Sequence, residues 1–137
     1  GGRVITTVNG GEDWDVHKTG TWKHLFDVWF VDEKSGWVVG DRGALLRSGD
    51  GGLTWTPQYS GGEINLLGVT FVDANTGWIA GGGGLILKTE NGGATWVPQP
   101  SGTDNNLQEV CFVSPEKGWV VGRYGTILKT ITGGELK

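Results

Sequence analysis

The sequence predicts an all-β fold: a β-propeller of four-stranded antiparallel blades, with three 41-residue repeats per chain. Three observations predict it. Trp14, Trp55 and Trp96 are spaced by 41 residues, and so, independently, are Trp37, Trp78 and Trp119. The positions between them repeat too: Leu25, Leu66 and Leu107 open each unit, and Phe30-Val31, Phe71-Val72 and Phe112-Val113 follow. After them come Gly36-Trp37, Gly77-Trp78 and Gly118-Trp119, then Gly40, Gly81 and Gly122. A period near 41 is the length of one four-stranded propeller blade.

Each element of one unit follows from its residues. Leu25 to Val31 is a β-rich apolar run that stops at the polar turn Asp32-Glu33-Lys34-Ser35-Gly36. Trp37-Val38-Val39 reads as a short buried strand closed by Gly40-Asp41-Arg42-Gly43, and Ala44 to Ser48 as a third strand. Asp50-Gly51-Gly52 makes a tight turn, and Thr54-Trp55-Thr56 opens a fourth strand in which Pro57 suits an edge. Apolar residues on both faces predict sheets covered on both sides, as stacked blades are. The units run 25–65, 66–106 and 107–137, with 1–24 supplying the third and fourth strands of a split blade.

Composition narrows the class. Glycine is high at 27 of 137 residues, but it recurs at fixed positions beside aromatics, which is turn chemistry and not disorder. A net charge of −4 with interspersed signs argues against a nucleic-acid binder, which needs a basic excess. The single cysteine, Cys111, excludes an intrachain disulfide, and no apolar run approaches the roughly 18 residues of a membrane span. Cys111 aligns with Trp29 and Thr70 inside a strand and is expected to pack.

The strand count at the two ends is offset. Arg3 to Thr7 holds a third-strand position and Asp13 to Lys18 a fourth, while the last unit supplies strands one to three. Three blades fall below the usual four to eight of a closed propeller. Two expectations remain open. Two copies pair head-to-tail as a homodimer of six blades, or the chain is a segment of a longer propeller. In the paired reading Arg3–Thr7 and Gly125–Thr130 compete for one third-strand position.

Ser48-Gly49-Asp50-Gly51-Gly52-Leu53-Thr54-Trp55 matches the Asp-box pattern Ser/Thr-x-Asp-x-Gly-x-Thr-Trp. Thr89 to Trp96 repeats it with Asn91 for Asp, Thr7 to Trp14 is a looser copy around Asn9, and Thr130 to Gly134 is a truncated fourth. Asn9, Asp50, Trp55, Asn91 and Trp96 are read as structural. The Asx side chain accepts N–H groups of its own turn, and one carboxylate per box falls short of a calcium site. Asp boxes occur in sialidases, xyloglucan-degrading hydrolases and sortilin-type receptors. The fuller unit, with Gly-Trp-x-x-Gly-x-x-Gly-x-x-Leu before Gly-Gly-x-Thr-Trp, most resembles the photosystem II assembly factor Ycf48/HCF136-like repeat. That resemblance implies a propeller that scaffolds or binds another protein, without cofactor, in a periplasmic, lumenal or secreted compartment.

The copies differ most in the loops from strand two to three and from strand four to the next strand one, which share one propeller face. Divergent positions are free to bind, and exposed aromatics and arginines dominate binding surfaces, so Trp22, His24, Arg42, Arg123 and Tyr124 are the candidate binding residues. The alternative function is a carbohydrate-binding or glycoside-hydrolysing, sialidase-like fragment. By resemblance, sialidases grip a sugar carboxylate with an arginine cluster. Arg42 and Arg123 evoke one, but Gly82-Gly83 occupies the third place. Glu63, Asp41 and Asp104 are carboxylates without a distinguishing partner. His17 and His24, seven apart in one loop region, complete no metal set with one cysteine. No catalytic residue is expected. The basic series Arg47, Lys88 and Lys129 is expected to cover apolar surface, with a stripe for an acidic partner as the other reading.

Overall fold

The computed structural model describes residues 1–134. The last three residues of the expected 107–137 unit lie outside the described residues. Strands β1 (Arg3–Thr6) and β2 (Asp15–Lys18) form an antiparallel pair. One four-stranded antiparallel sheet contains β3 (Leu25–Phe30), β4 (Gly36–Gly40), β5 (Leu45–Ser48) and β6 (Thr56–Pro57). A second contains β7 (Leu66–Phe71), β8 (Gly77–Gly81), β9 (Ile86–Thr89) and β10 (Val97–Gln99). A three-stranded sheet of β11 (Leu107–Phe112), β12 (Gly118–Gly122) and β13 (Ile127–Thr130) follows. The sheets are blades of a β-propeller, each with strands in chain order. Their fourth strands are shorter than the residues suggested, because Trp55 and Trp96 stand in the turn before them.

The blades are joined by one repeated contact. Trp37 on β4 stacks on Phe71 of the next sheet, ring centroids 3.6 Å apart and planes 12° from parallel. Trp78 on β8 stacks on Phe112 at 3.6 Å and 2°. Each indole N–H then donates across the same joint, Trp37 Nε1 to Gly92 O at 3.2 Å and Trp78 Nε1 to Gly133 O at 3.1 Å. Buried aromatic pairs gain from both area and ring geometry, and an indole needs a partner for its N–H. The Gly-Trp dipeptide follows from this stack. A Cβ on Gly77 or Gly118 would lie 2.5 Å from the ring of Phe71 or Phe112.

Arg47 and Lys88 stand directly opposite Trp37 and Trp78 in the ladders. Their charges lie over those rings, at 5.7 Å and 5.6 Å from the centroids. Arg47 and Lys88, two of the three members of the basic series, thus cover aromatic surface.

Sheet burial follows the number of neighbours. β8, between two blades, is buried along its whole length, whereas β12 alternates buried and exposed positions. Among the described residues the three-stranded sheet is covered on one face only, which departs from the expectation of sheets covered on both sides. Cys111 is corrected for the same reason. It is exposed, although its counterpart Thr70 is 0% exposed against the next blade. His17 is also corrected. It lies within β2, where Nε2 meets Thr6 Oγ1 at 2.8 Å, and is not in a loop with His24.

The stack predicts a large single-site cost. Trp78→Ala should lower unfolding free energy by about 3–5 kcal/mol in chemical denaturation. A cost under about 1 kcal/mol would show that the joint does not depend on the indole.

Candidate functional site

The loop face is assembled from one backbone rule applied three times. Each strand-two-to-three turn is a single 3-10 turn whose middle residue is left-handed: Arg42 at φ 49°, Gly83 at 64° and Tyr124 at 57°. Non-glycine residues rarely adopt this conformation, so the backbone needs holding. The residue before each first strand does so with its carbonyl: His24 O accepts Asp41 N–H at 2.8 Å, Asn65 O accepts Gly82 N–H at 2.9 Å, and Asn106 O accepts Arg123 N–H at 2.9 Å.

Two asparagines add a second bond that crosses to the preceding blade. Asn65 Oδ1 accepts Arg42 N–H at 2.8 Å, and Asn106 Oδ1 accepts Gly83 N–H at 2.9 Å. These side chains staple neighbouring blades at the face. Sequence reasoning placed them only among divergent loop residues. The available signal was an Asn immediately before the first strand in two of three repeats, together with Gly83 aligned to Arg42.

Of the candidate residues, Trp22, Arg42 and Arg123 line hollows. Trp22, 94% exposed, and Arg42 share a cavity of about 620 Å³ with Lys23, Ala44, Leu46 and Trp55. The corresponding groove one blade on is only about 130 Å³, lined by Ile64 and Leu85 where this one has Lys23 and Ala44. Smaller or polar side chains at those two positions open the space. Lys23 Nζ donates to Arg42 O at 3.0 Å, and Arg42 Nε lies 3.2 Å from Asp41 Oδ2. Arg123 lines a separate hollow of about 400 Å³ with Asn65, Gly82, Gly83 and Asn106. Tyr124 is 87% exposed beside it, and the His24 ring is exposed and makes no hydrogen bond among the described residues.

The Asp boxes brace the opposite, outer turns. Asp50 Oδ1 accepts Thr54 N–H at 2.9 Å and the Ser48 hydroxyl at 2.8 Å, Oδ2 accepts the Thr54 hydroxyl, and Trp55 Nε1 donates to Gly52 O at 3.0 Å. Asn91 Oδ1 takes Thr95 N–H and the Thr89 hydroxyl, both at 2.9 Å, while Trp96 Nε1 donates to Gly93 O at 3.1 Å. Asn9 Oδ1 accepts Asp13 N–H at 3.0 Å. The truncated box keeps its turn through Thr130 Oγ1, which accepts Thr132 and Gly134 N–H groups. The Thr54 hydroxyl and N–H and the Ser48 hydroxyl hold the Asp50 carboxyl down to about 2.

On the first strands, Asp27 Oδ2 accepts Val69 N–H at 3.0 Å. Burial and then the Asp27 charge push the Glu109 carboxyl up. The missing side chain at Gly68, whose Cβ would lie 3.4 Å from Glu109 Oε1, lets the two acids approach. Among the described residues no three His, Cys, Asp or Glu side chains converge as metal ligands, and no helix is long and apolar enough to cross a membrane.

Stacked four-stranded antiparallel blades, Asp-box turns and a loop face define an Asp-box β-propeller protein. The model of the photosynthesis system II assembly factor YCF48 family matches residues 6–62 and 58–131, and the chain belongs to that family. A structure described as YCF48 bound to D1 peptide is similar at TM-score 0.78 and 26% identity, over 86% of this chain and 40% of that one. YCF48 from Cyanidioschyzon merolae is similar at TM-score 0.80 and 27% identity, over 95% of this chain and 44% of that one. The chain thus spans less than half the length of both. An ancestral GH74 enzyme shares the fold at TM-score 0.74 and 21% identity, over 97% of this chain and 20% of that one. Among curated proteins none matches.

Acid sensitivity tests the Asp-box reading. A carboxyl held near 2 against an ordinary 3.8 stabilises the fold fully above the ordinary value and loses that contribution as pH falls toward 2. Asp50→Asn keeps the Oδ1 acceptor, as Asn91 does. Its melting temperature should therefore fall less between pH of about 4 and about 2 than that of the parent chain. An equal fall in both would assign the acid response to other carboxylates.

Proposed function

We propose that the chain is a non-catalytic propeller module that binds a protein partner in photosystem II assembly. Its binding surface is the loop face bearing Trp22, His24, Arg42, Arg123 and Tyr124. The observation that carries this reading is the pairing, on one hydrogen-bonded face, of two highly exposed aromatics with two arginines beside hollows. Exposed rings and guanidinium groups recur as binding anchors, and a stapled backbone lowers the ordering cost of binding. Family membership and a relative described as bound to a D1 peptide support this reading of the partner as a peptide segment of a photosystem protein. The units 25–65 and 66–106 act as whole blades in this reading, and head-to-tail pairing completes the split one.

Nothing specific favours the glycosidase alternative. Asp41 is engaged by Arg42, and likeness to the GH74 enzyme is a likeness of fold. Calorimetric titration with a synthetic D1 peptide decides the matter. The peptide should bind, and Trp22→Ala, Arg42→Ala and Arg123→Ala should each weaken it by about tenfold, roughly 1.4 kcal/mol. No binding, or binding indifferent to all three changes, would overturn the assignment. Turnover of generic glycosidase substrates, lost in Arg42→Ala or Arg123→Ala, would replace it with the enzyme reading.

A further inference from the structure

The loop that leads from one fourth strand into the next blade frames a groove, and the repeat builds that groove three times. Two of the three are closed. In the second, Ile64 and Leu85 line a space of only about 130 Å³ with Leu66, Leu87, Trp96 and Pro98. In the third, Asn105 and Thr126 stand one repeat on from Ile64 and Leu85, and Asn105 Nδ2 donates to Thr126 Oγ1 at 3.0 Å. In the first, Lys23 and Ala44 hold these two places and the space is about 620 Å³.

The opening comes from those two residues. Ala44 ends at its Cβ where Leu85 carries a branched chain, and Lys23 Nζ is drawn to Arg42 O, to which it donates at 3.0 Å. The remaining wall keeps its chemistry: Leu46, Trp55 and Pro57 line the first groove where Leu87, Trp96 and Pro98 line the second. The second groove is lined without any residue of β3 or β4, the first two strands of the blade before it, so the counterparts of those strands have no part in the first. Trp22, 94% exposed, lines the mouth. The lining holds two cations, Lys23 and Arg42, and no carboxylate among the described residues. Asp41 lies 3.2 Å from Arg42 Nε, which leaves the rim net positive.

From this comparison we propose that the first groove seats a branched aliphatic side chain, leucine or isoleucine, of a partner peptide, with acidic residues of that peptide on either side of it. The proposal deepens the loop-face reading and rests on it. The second groove is the template. There the fold itself sets a leucine and an isoleucine against the same kind of leucine, tryptophan and proline wall, so an incoming side chain of that shape meets a surface already fitted to it. Removing its apolar area from water drives the seating, and the wide indole of Trp22 extends the contact at the mouth. The net positive rim selects the flanking residues, since carboxylates meet Lys23 and Arg42 while basic residues are repelled. The second and third grooves are closed to such an anchor, one by the chain's own Ile64 and Leu85 and the other by the Asn105–Thr126 bond. A bound peptide therefore has one register on the face.

Short synthetic peptides test the groove in the whole chain. Acetyl-Asp-Leu-Asp-amide should shift the Ala44 methyl and Trp22 indole signals in an NMR titration, and bind about tenfold more tightly than acetyl-Asp-Ala-Asp-amide. Acetyl-Lys-Leu-Lys-amide should bind more weakly than the acidic leucine peptide, and added salt should narrow that gap. Ala44→Leu supplies the side chain that the second groove already holds. It should keep the circular dichroism of the fold and lose the preference for leucine over alanine. Lys23→Ile, a change in the loop outside the strands, is a second filling and should do the same. Equal binding of the leucine and alanine peptides, shifts confined to other residues, or a leucine preference that survives both fillings would each overturn the proposal. Shifts at Ala44 that follow protein concentration without peptide would give the groove to a second copy and overturn it too. The loop-face reading fails separately: a peptide bound through Arg123 but indifferent to Ala44→Leu sinks the groove and leaves the face, whereas no binding of any peptide sinks both.

Discussion

The structure depends on the contact between a second-strand tryptophan and a first-strand phenylalanine of the following blade. The stacked rings exclude water from the joint, the indole N–H reaches the next Asp-box turn, and the glycine before the tryptophan leaves the space in which the rings of its own sheet lie. One residue set therefore links packing, hydrogen bonding and turn geometry. Trp37 and Trp78 make the contact and are completely buried. Trp119, in the same Gly-Trp-Val-Val-Gly run as Trp37, has no facing phenylalanine among the described residues and is 36% exposed.

That joint positions the face proposed to bind. Stacking sets adjacent blades at a constant offset, which brings the 3-10 turn of one within reach of the loop entering the next. Asn65 and Asn106 exploit this closeness. The Arg42 and Tyr124 side chains project from left-handed backbone, where their directions are set by the turn and not by a helix or strand. The proposed recognition chemistry thus rests on residues that vary between repeats, held by a frame that does not.

The frame was legible in the sequence because its constraints recur. Each strand, each Gly-Trp pair and each Asp-box turn is required three times over, so periodicity exposes it. The hollows were less legible. The space beside Trp22 exists because Lys23 and Ala44 replace Ile64 and Leu85, a difference in volume whose meaning depends on which side chains meet across two loops. Cys111 was misread for a related reason. Repeat alignment gave it the environment of Thr70, but burial belongs to the neighbouring blade and not to the strand.

By itself the sequence determined the repeat length, the blade elements and the turn chemistry, since local spacing and steric rules act within one unit. Only the tertiary structure decided which equivalent positions differ in environment. Trp37 and Trp119 are chemically identical, yet one is sealed and the other open, because burial depends on what stands opposite across the joint. The same distinction separates Asn65, which holds the Arg42 N–H, from His24, whose ring makes no hydrogen bond among the described residues.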